Sequence, residues 1–198
     1  MKVIGLTGGI GSGKSSILSI FEKDGISIFR SDDEAKRILD SDTELASVLV
    51  KEFGKNILNE ADKPDRKKLA AIVFSNPERL KVLNKQIHPK VAIAFQSFKK
   101  RHSKASFVMK EAAILFETGA HLNCDMTILV TAPEEERIRR VVKRDGIESE
   151  EVARRIQHQW SDEKKIPLAD FVIHNEDWTD TLQQIEKLKT EIGILKNN

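Results

Sequence analysis

Eight residues close to the first strand restrict this chain more than anything else in it: Gly8-Gly9-Ile10-Gly11-Ser12-Gly13-Lys14-Ser15. They satisfy G-x-x-x-x-G-K-[ST] in full, between an apolar run at 3–6 and an amphipathic pattern at 14–23. Glycines at these positions let successive backbone N–H groups turn toward one point, which is what a phosphate needs. The helix that follows adds roughly half a positive charge at its N-terminus. Gly9, Ile10, Gly11, Ser12, Gly13, Lys14, Ser15 and Ser16 are therefore the candidate nucleotide contacts. Lys14 has the reach for β- and γ-phosphates, and the Ser15 hydroxyl is a candidate Mg²⁺ ligand. A strand–loop–helix of this kind belongs in an α/β sheet with its ligand at the carboxyl ends of the strands.

The rest of the chain agrees with that requirement. Short apolar runs at 3–6, 27–29, 106–110, 126–130 and 171–173 predict five strands. Helical patterns fill 14–23, 33–39, 44–53, 66–74, 77–101, 133–144, 149–160 and 179–195. The stretch between the second and third strands is too long for a simple crossover and predicts a helical insertion. The fold expected is α/β: a parallel five-stranded sheet of the P-loop NTPase type flanked by helices, with a helical substrate-binding insertion and a helical lid. The expected division is a core of about 1–32, 104–136 and 168–198, an insertion of about 33–103 and a lid of about 137–167.

Bulk properties exclude several classes. A formal charge of +2 over 198 residues gives little attraction for nucleic acid or an anionic membrane, so neither is expected as a partner. Cys124 is the single cysteine and has no Cys/His neighbours at metal-ligand spacing. No signal-peptide pattern follows Met1 and charges interrupt every apolar run, so the expected location is the cytoplasm. Oligomeric state is not set by the sequence.

Phosphoryl transfer to a hydroxyl wants one carboxylate near the acceptor and another near the metal. Asp32, just past the second strand, is a candidate base; it is equally placed to cap the helix that follows, and position alone leaves both roles open. Glu111, at the end of the third strand, is a candidate to hold Mg²⁺ through water or is an ordinary strand-end carboxylate. Glu117 has no evident role from sequence. Arg137, Arg140 and Arg144 are spaced three and four apart and so share one helix face, with Arg154, Arg155, Lys164 and Lys165 beyond. That face is either a phosphate clamp or a solvated charge run.

Taken in order, these residues resemble the dephospho-coenzyme A kinases, and the resemblance runs from residue 3 to about 175. It rests on Thr7-Gly8-Gly9-Ile10-Gly11-Ser12-Gly13-Lys14, Asp32, Phe53-Gly54, Arg66 with Leu69, Phe74, and Leu83-Asn84 followed by His88-Pro89. It continues through Glu111, Ile114-Leu115-Phe116-Glu117, Arg140 and Arg144, Arg155-Ile156 with Gln159, and Ala169-Asp170 to Asn175. The resemblance implies ATP-dependent phosphorylation of the ribose 3′-hydroxyl of dephospho-CoA with Mg²⁺. It places Asp32, Lys14 and Arg140 in catalysis, Asn175 in an adenine-binding turn, and Arg66, His88, Asp32 and Glu111 on the acceptor side. On chemistry alone His88 before Pro89 is equally a structural hydrogen-bonder or a turn. Arg30 stands where an acid is usual, Ser15 for Thr, Ala113 for Pro and Arg137 for Gln.

Other readings are a kinase for a nucleoside or sugar acid, and an ATP-sensing regulator without catalysis. A guanine-reading Asn-Lys-x-Asp is missing, since Asn84-Lys85-Gln86-Ile87 ends on Ile87.

Overall fold

The computed structural model describes residues 1–73 and 76–194. Phe74 and Leu195, which the sequence assigned to helices, lie outside the described residues. By its internal packing the chain divides into two compact units, one of Met1–Phe29 with the residues from His102 onward, the other Arg30–Arg101.

The first unit is built on a five-stranded parallel sheet of order β2-β3-β1-β4-β5, formed by β1 (Lys2–Gly8), β2 (Ser27–Arg30), β3 (Phe107–Glu111), β4 (Met126–Thr131) and β5 (Phe171–His174). β1 is central, with Leu6 opposite Glu111 of β3 and Gly8 opposite Val130 of β4. The chain leaves β1 for one edge of the sheet and leaves β4 for the other, so a switch point lies at the carboxyl end of β1. Buried residues of both parities, Ile4 and Leu6 but also Val3, Val108 and Leu129, mark strands covered on both faces. Two aspartates start the strands in register. Asp125 accepts from Val3 N at 2.7 Å, and Asp170 accepts from both Thr127 N and Thr127 Oγ1 at 2.7 Å. Asp170 is thus a structural clamp between β4 and β5.

Helix α1 (Lys14–Lys23) buries Ile17, Leu18 and Phe21, and α9 (Trp178–Ile192) buries Ile185, Leu188 and Ile192, in one cluster with β1, β3, β4 and β5. The end of α9 is closed by Ile194 N donating to Lys189 O past Gly193, with Ile194 itself buried. Between β4 and β5 lie α6 (Glu134–Asp145), α7 (Ser149–Gln157) and α8 (Asp162–Lys165). The helix expected over 149–160 ends at Gln157, and α8 is a separate turn beyond it; Gln159 and Trp160 give polar groups to other parts of the fold.

The second unit holds α2 (Ser31–Ser41), α3 (Thr43–Phe53), α4 (Arg66–Val73) and α5 (Pro77–Arg101). In α5 Leu83, Ile87, Val91 and Phe95 recur every four residues and form its buried stripe. The helix continues through His88-Pro89, which is not a turn. α2 begins at Ser31, directly after the extended Arg30, rather than at residue 33. Among the described residues no helix is long and apolar enough to cross a membrane.

Candidate active site

The loop after β1 shapes a binding site from backbone. Gly13, at φ 96° and ψ 17°, caps α1 in the left-handed region that only glycine adopts without strain. No side chain caps this helix and its first turn has no acid. Contrast α6, which begins Glu134, Glu135, Glu136. The leading N–H groups of α1 thus keep their capacity for an external anion. Lys14 Nζ lies over the loop, donating to Gly8 O at 2.8 Å. Ser15 and Ser16 are exposed on the first turn of α1.

Asn175 locks the base of the loop. Its Nδ2 donates to Ser12 O at 2.7 Å and its Oδ1 accepts from Thr181 Oγ1 at 3.2 Å, both buried. Its own N–H continues the sheet by donating to Thr131 O at 2.8 Å. A Cβ on Gly13 would collide with that amide. Beyond it a cavity of about 240 Å³ is lined by Gly13, Ser16, Arg140, Asn175, Glu176 and Trp178. That volume lies below the roughly 300–1,000 Å³ of whole-ligand pockets and suits part of a nucleotide.

The expected arginine face divides. Arg137 is buried at 6% exposure and turns to the loop, its Nε donating to Ile10 O at 3.1 Å. Arg140 is half-buried; Nε donates to Glu136 at 2.8 Å and one terminal nitrogen to Asn175 O at 3.0 Å, while Nη1 is buried without a hydrogen-bond partner. Arg144 is exposed and pairs with its neighbour Asp145 at 2.6 Å. A common face on a helix is not a common environment, since one side of α6 is inside the fold. Hydrogen bonds from Arg139 and Arg140 hold the Glu136 carboxyl below the usual glutamate range.

The second basic group divides as well, with Arg154, Arg155 and Lys164 exposed and Lys165 inside. Lys165 is fully buried, with Nζ 3.1 Å from Glu117 Oε1, and the same oxygen accepts Trp160 N–H at 3.0 Å. Lys164 sits 3.7 Å from the Trp160 ring centroid, and Arg155 pairs with Glu151 on its own helix. Glu117 thereby gains the role that sequence did not give it. Asp162, beside Arg137 and Lys165, has its carboxyl pushed up by burial, with those two cations opposing the shift. Asp162 is the site-region residue that sequence reasoning missed, and for Lys165 it missed the carboxylate partner. No pattern signals them, because their partners lie 25 and 48 residues away in the chain.

Glu111 closes β3 and is buried at 8% exposure, opposite Leu6 of the central strand. Among the described residues no three His, Cys, Asp or Glu side chains cluster as a metal cage. A hydroxyl and a carboxylate, Ser15 and Glu111, are hard oxygen donors of the kind Mg²⁺ uses when phosphates and waters fill its remaining positions. Asp32, Arg66 and His88 belong to the second unit. Asp32 is exposed in the first turn of α2 with Asp33 and Glu34; the cap position is Arg30, so Asp32 is not the cap. Arg66 opens α4 and reaches Asp40 at 3.5 Å, and His88 is exposed midway along α5.

The family described as CoaE, dephospho-CoA kinase, matches residues 2–180. The dephospho-CoA kinase of Leptospira interrogans is 40% identical over 182 residues, 92% of this chain and 88% of that protein. That of Chlorobaculum tepidum is 40% identical over 193 residues, covering 94% and 92%. Among solved structures, a Thermus thermophilus protein superposes with a TM-score of 0.85 at 35% identity over 98% of this chain and 97% of that one. The dephospho-CoA kinase from Campylobacter jejuni gives 0.70 at 31% identity over 96% of both chains. The uncapped head of α1, the buried ties that shape the loop before it and these end-to-end similarities lead to one assignment: the chain belongs to the dephospho-CoA kinase family.

Proposed function

We propose that this chain transfers the γ-phosphoryl group of ATP to the ribose 3′-hydroxyl of dephospho-CoA, giving CoA and ADP. The observation that carries the phosphoryl chemistry is the head of α1, uncapped and free of acids, with Lys14 lying over the loop that precedes it. Family membership supplies the acceptor.

In this reading Lys14 and the loop of Gly9, Ile10, Gly11, Ser12, Gly13, Lys14, Ser15 and Ser16 hold the β- and γ-phosphates, and the turn at Asn175 borders the base. The Ile10 N–H itself is spent on Gln159 Oε1, so the phosphates draw on its neighbours. Ser15, with Glu111 through water, would hold Mg²⁺. When bound, the ion supplies charge neutralisation across the phosphates. Asp32 accepts the 3′-hydroxyl proton as the new P–O bond forms and the bond to the β-phosphate oxygen breaks. Arg140, whose Nη1 has no hydrogen-bond partner, stabilises charge on the transferring group. Arg66, His88 and Glu111 contribute to the acceptor side. Enclosure by a lid at about 137–167 keeps water from competing for the phosphoryl group.

The test is ADP release with Mg-ATP and dephospho-CoA, adenosine, a sugar acid or no acceptor. Turnover with dephospho-CoA alone, giving a product with a new 3′-phosphate, is expected. Turnover only with another acceptor would overturn the acceptor, and no turnover with any would overturn the kinase reading. Arg140→Ala is expected to lower kcat beyond any rise in the KM for ATP; a change in KM alone would make Arg140 a binding group.

A further inference from the structure

Ile10, near the middle of the loop, is held at both its N–H and its carbonyl by side chains that come from beyond β4. Its carbonyl accepts from Arg137 Nε at 3.1 Å, and its N–H donates to Gln159 Oε1 at 2.8 Å. Gln159 Nε2 donates in turn to Ala113 O at 3.3 Å, so one side chain joins the loop to the turn after β3. Arg137 is itself held, with Nη1 3.4 Å from Asp162 Oδ2, and both side chains are largely buried. Its guanidinium lies against Gly9, where a Cβ would stand 2.7 Å from Cζ. Gly9 is needed here for close approach, since any side chain would displace the arginine.

A loop with glycine at 8, 9, 11 and 13 is costly to order, because glycine loses more backbone freedom than any other residue. Its internal support is a single backbone bond across the turn, Ser12 N–H to Gly9 O at 3.1 Å, and the long Lys14 side chain on Gly8 O at 2.8 Å. If the loop were ordered only by nucleotide, that entropy would be lost from affinity. A buried charge pair is a poor way to add stability. It is an effective way to aim a guanidinium with a fixed fork of donors at one carbonyl.

We propose that Arg137, aimed by Asp162, and Gln159 are positioning residues that keep the Ile10 peptide, and with it the phosphate-binding amides, in the binding conformation before nucleotide arrives. The proposal rests on the reading of residues 8–15 as the nucleotide loop. Arg137 and Gln159 act on ATP through the loop, so their loss raises the KM for ATP and spares the transfer step.

Hydrogen exchange on the nucleotide-free chain, together with steady-state kinetics, tests this. In Arg137→Ala, the hydrogen-bonded loop amides of Ile10 and Ser12 are expected to exchange at least about tenfold faster, as for loss of one charge-assisted hydrogen bond. Exchange in α9 stays unchanged. The KM for ATP rises about tenfold, kcat changes by less than about threefold, and the KM for dephospho-CoA is unaltered. Arg137→Gln, which keeps an N–H donor for Ile10 O, recovers most of the loop protection, and Asp162→Asn moves in the same direction as Arg137→Ala by a smaller factor. Unchanged loop exchange in folded Arg137→Ala would overturn the proposal, as would equal rises in both KM values with faster exchange throughout the sheet. Should Arg137→Ala not fold, Gln159→Ala removes the other tie without touching the charge pair and must loosen the same amides. A wild-type chain without ATP turnover would remove the kinase reading, while the exchange measurement still decides the brace.

Discussion

Replacing Asn175 isolates the lock between the loop and the last strand. Asn175→Ala removes the buried bond from Nδ2 to Ser12 O and orphans that carbonyl. It orphans nothing else. The Thr181 hydroxyl keeps His174 O and Asp177 O as acceptors, and the backbone bonds of residue 175 to Thr131 and Arg140 survive the substitution. One stranded buried acceptor costs about 1–3 kcal/mol. At the roughly 2–4 °C per kcal/mol of a chain this size, the midpoint falls about 4–8 °C for a 2 kcal/mol loss. Asn175→Asp is worse at neutral pH, because a carboxylate replaces the donor and faces the Ser12 carbonyl at a buried position. The introduced carboxyl has a raised pKa in the folded state. Its penalty is therefore fully present above that raised value and vanishes as pH falls below the unfolded value of about 3.9. Both tryptophans, Trp160 and Trp178, lie in the unit that contains Asn175, so tryptophan fluorescence during urea or thermal unfolding reads this unit. Melts at pH 5 and pH 8, with the KM for ATP, make the comparison. A loss below about 0.5 kcal/mol for Asn175→Ala with unchanged KM, or a pH-independent defect in Asn175→Asp, would refute the lock.

Two further perturbations test the packing around the site. Lys165→Met leaves Glu117, which still accepts Trp160 N–H, as an uncompensated buried charge; a loss of about 3–5 kcal/mol by urea unfolding is expected, largely recovered in the double variant with Glu117→Gln. In the helical unit, Asp42 caps α3 through Leu45 N–H at 2.8 Å and pairs with Lys90 at 2.7 Å. Lys90 first, then that N–H, hold its carboxyl below the usual aspartate range. Asp42→Ala is expected to cost about 1 kcal/mol at pH 7 by the loss of the cap. Asp42→Asn keeps the cap acceptor and costs less. Because the folded pKa is lowered, the stability due to this charge is present above the ordinary aspartate value and is lost as pH falls through the folded one. The gap between wild type and Asp42→Asn, followed by circular dichroism, must therefore close in acid. A gap that persists would show that the charge contributes nothing.

What the sequence settled was local. The loop pattern, its strand and its helix are contiguous, and backbone geometry over contiguous residues depends on glycine placement and hydrophobic period, both readable in order. The same holds for α5, whose four-residue apolar spacing outweighs Pro89 and carries the helix from Pro77 to Arg101. Tertiary structure decided which charges are inside. Arg137, Arg140 and Arg144 are equivalent by spacing, yet one braces the loop, one borders the cavity and one is in water. Glu117 has no evident role by position and Lys165 is one member of a basic group, until the fold pairs them and sets Trp160 N–H on the same carboxylate oxygen. Helical spacing reports only which side chains share a side. Whether that side meets solvent, a carboxylate or a backbone carbonyl is set by partners distant in the chain, and burial changes the worth of a charge by several kcal/mol.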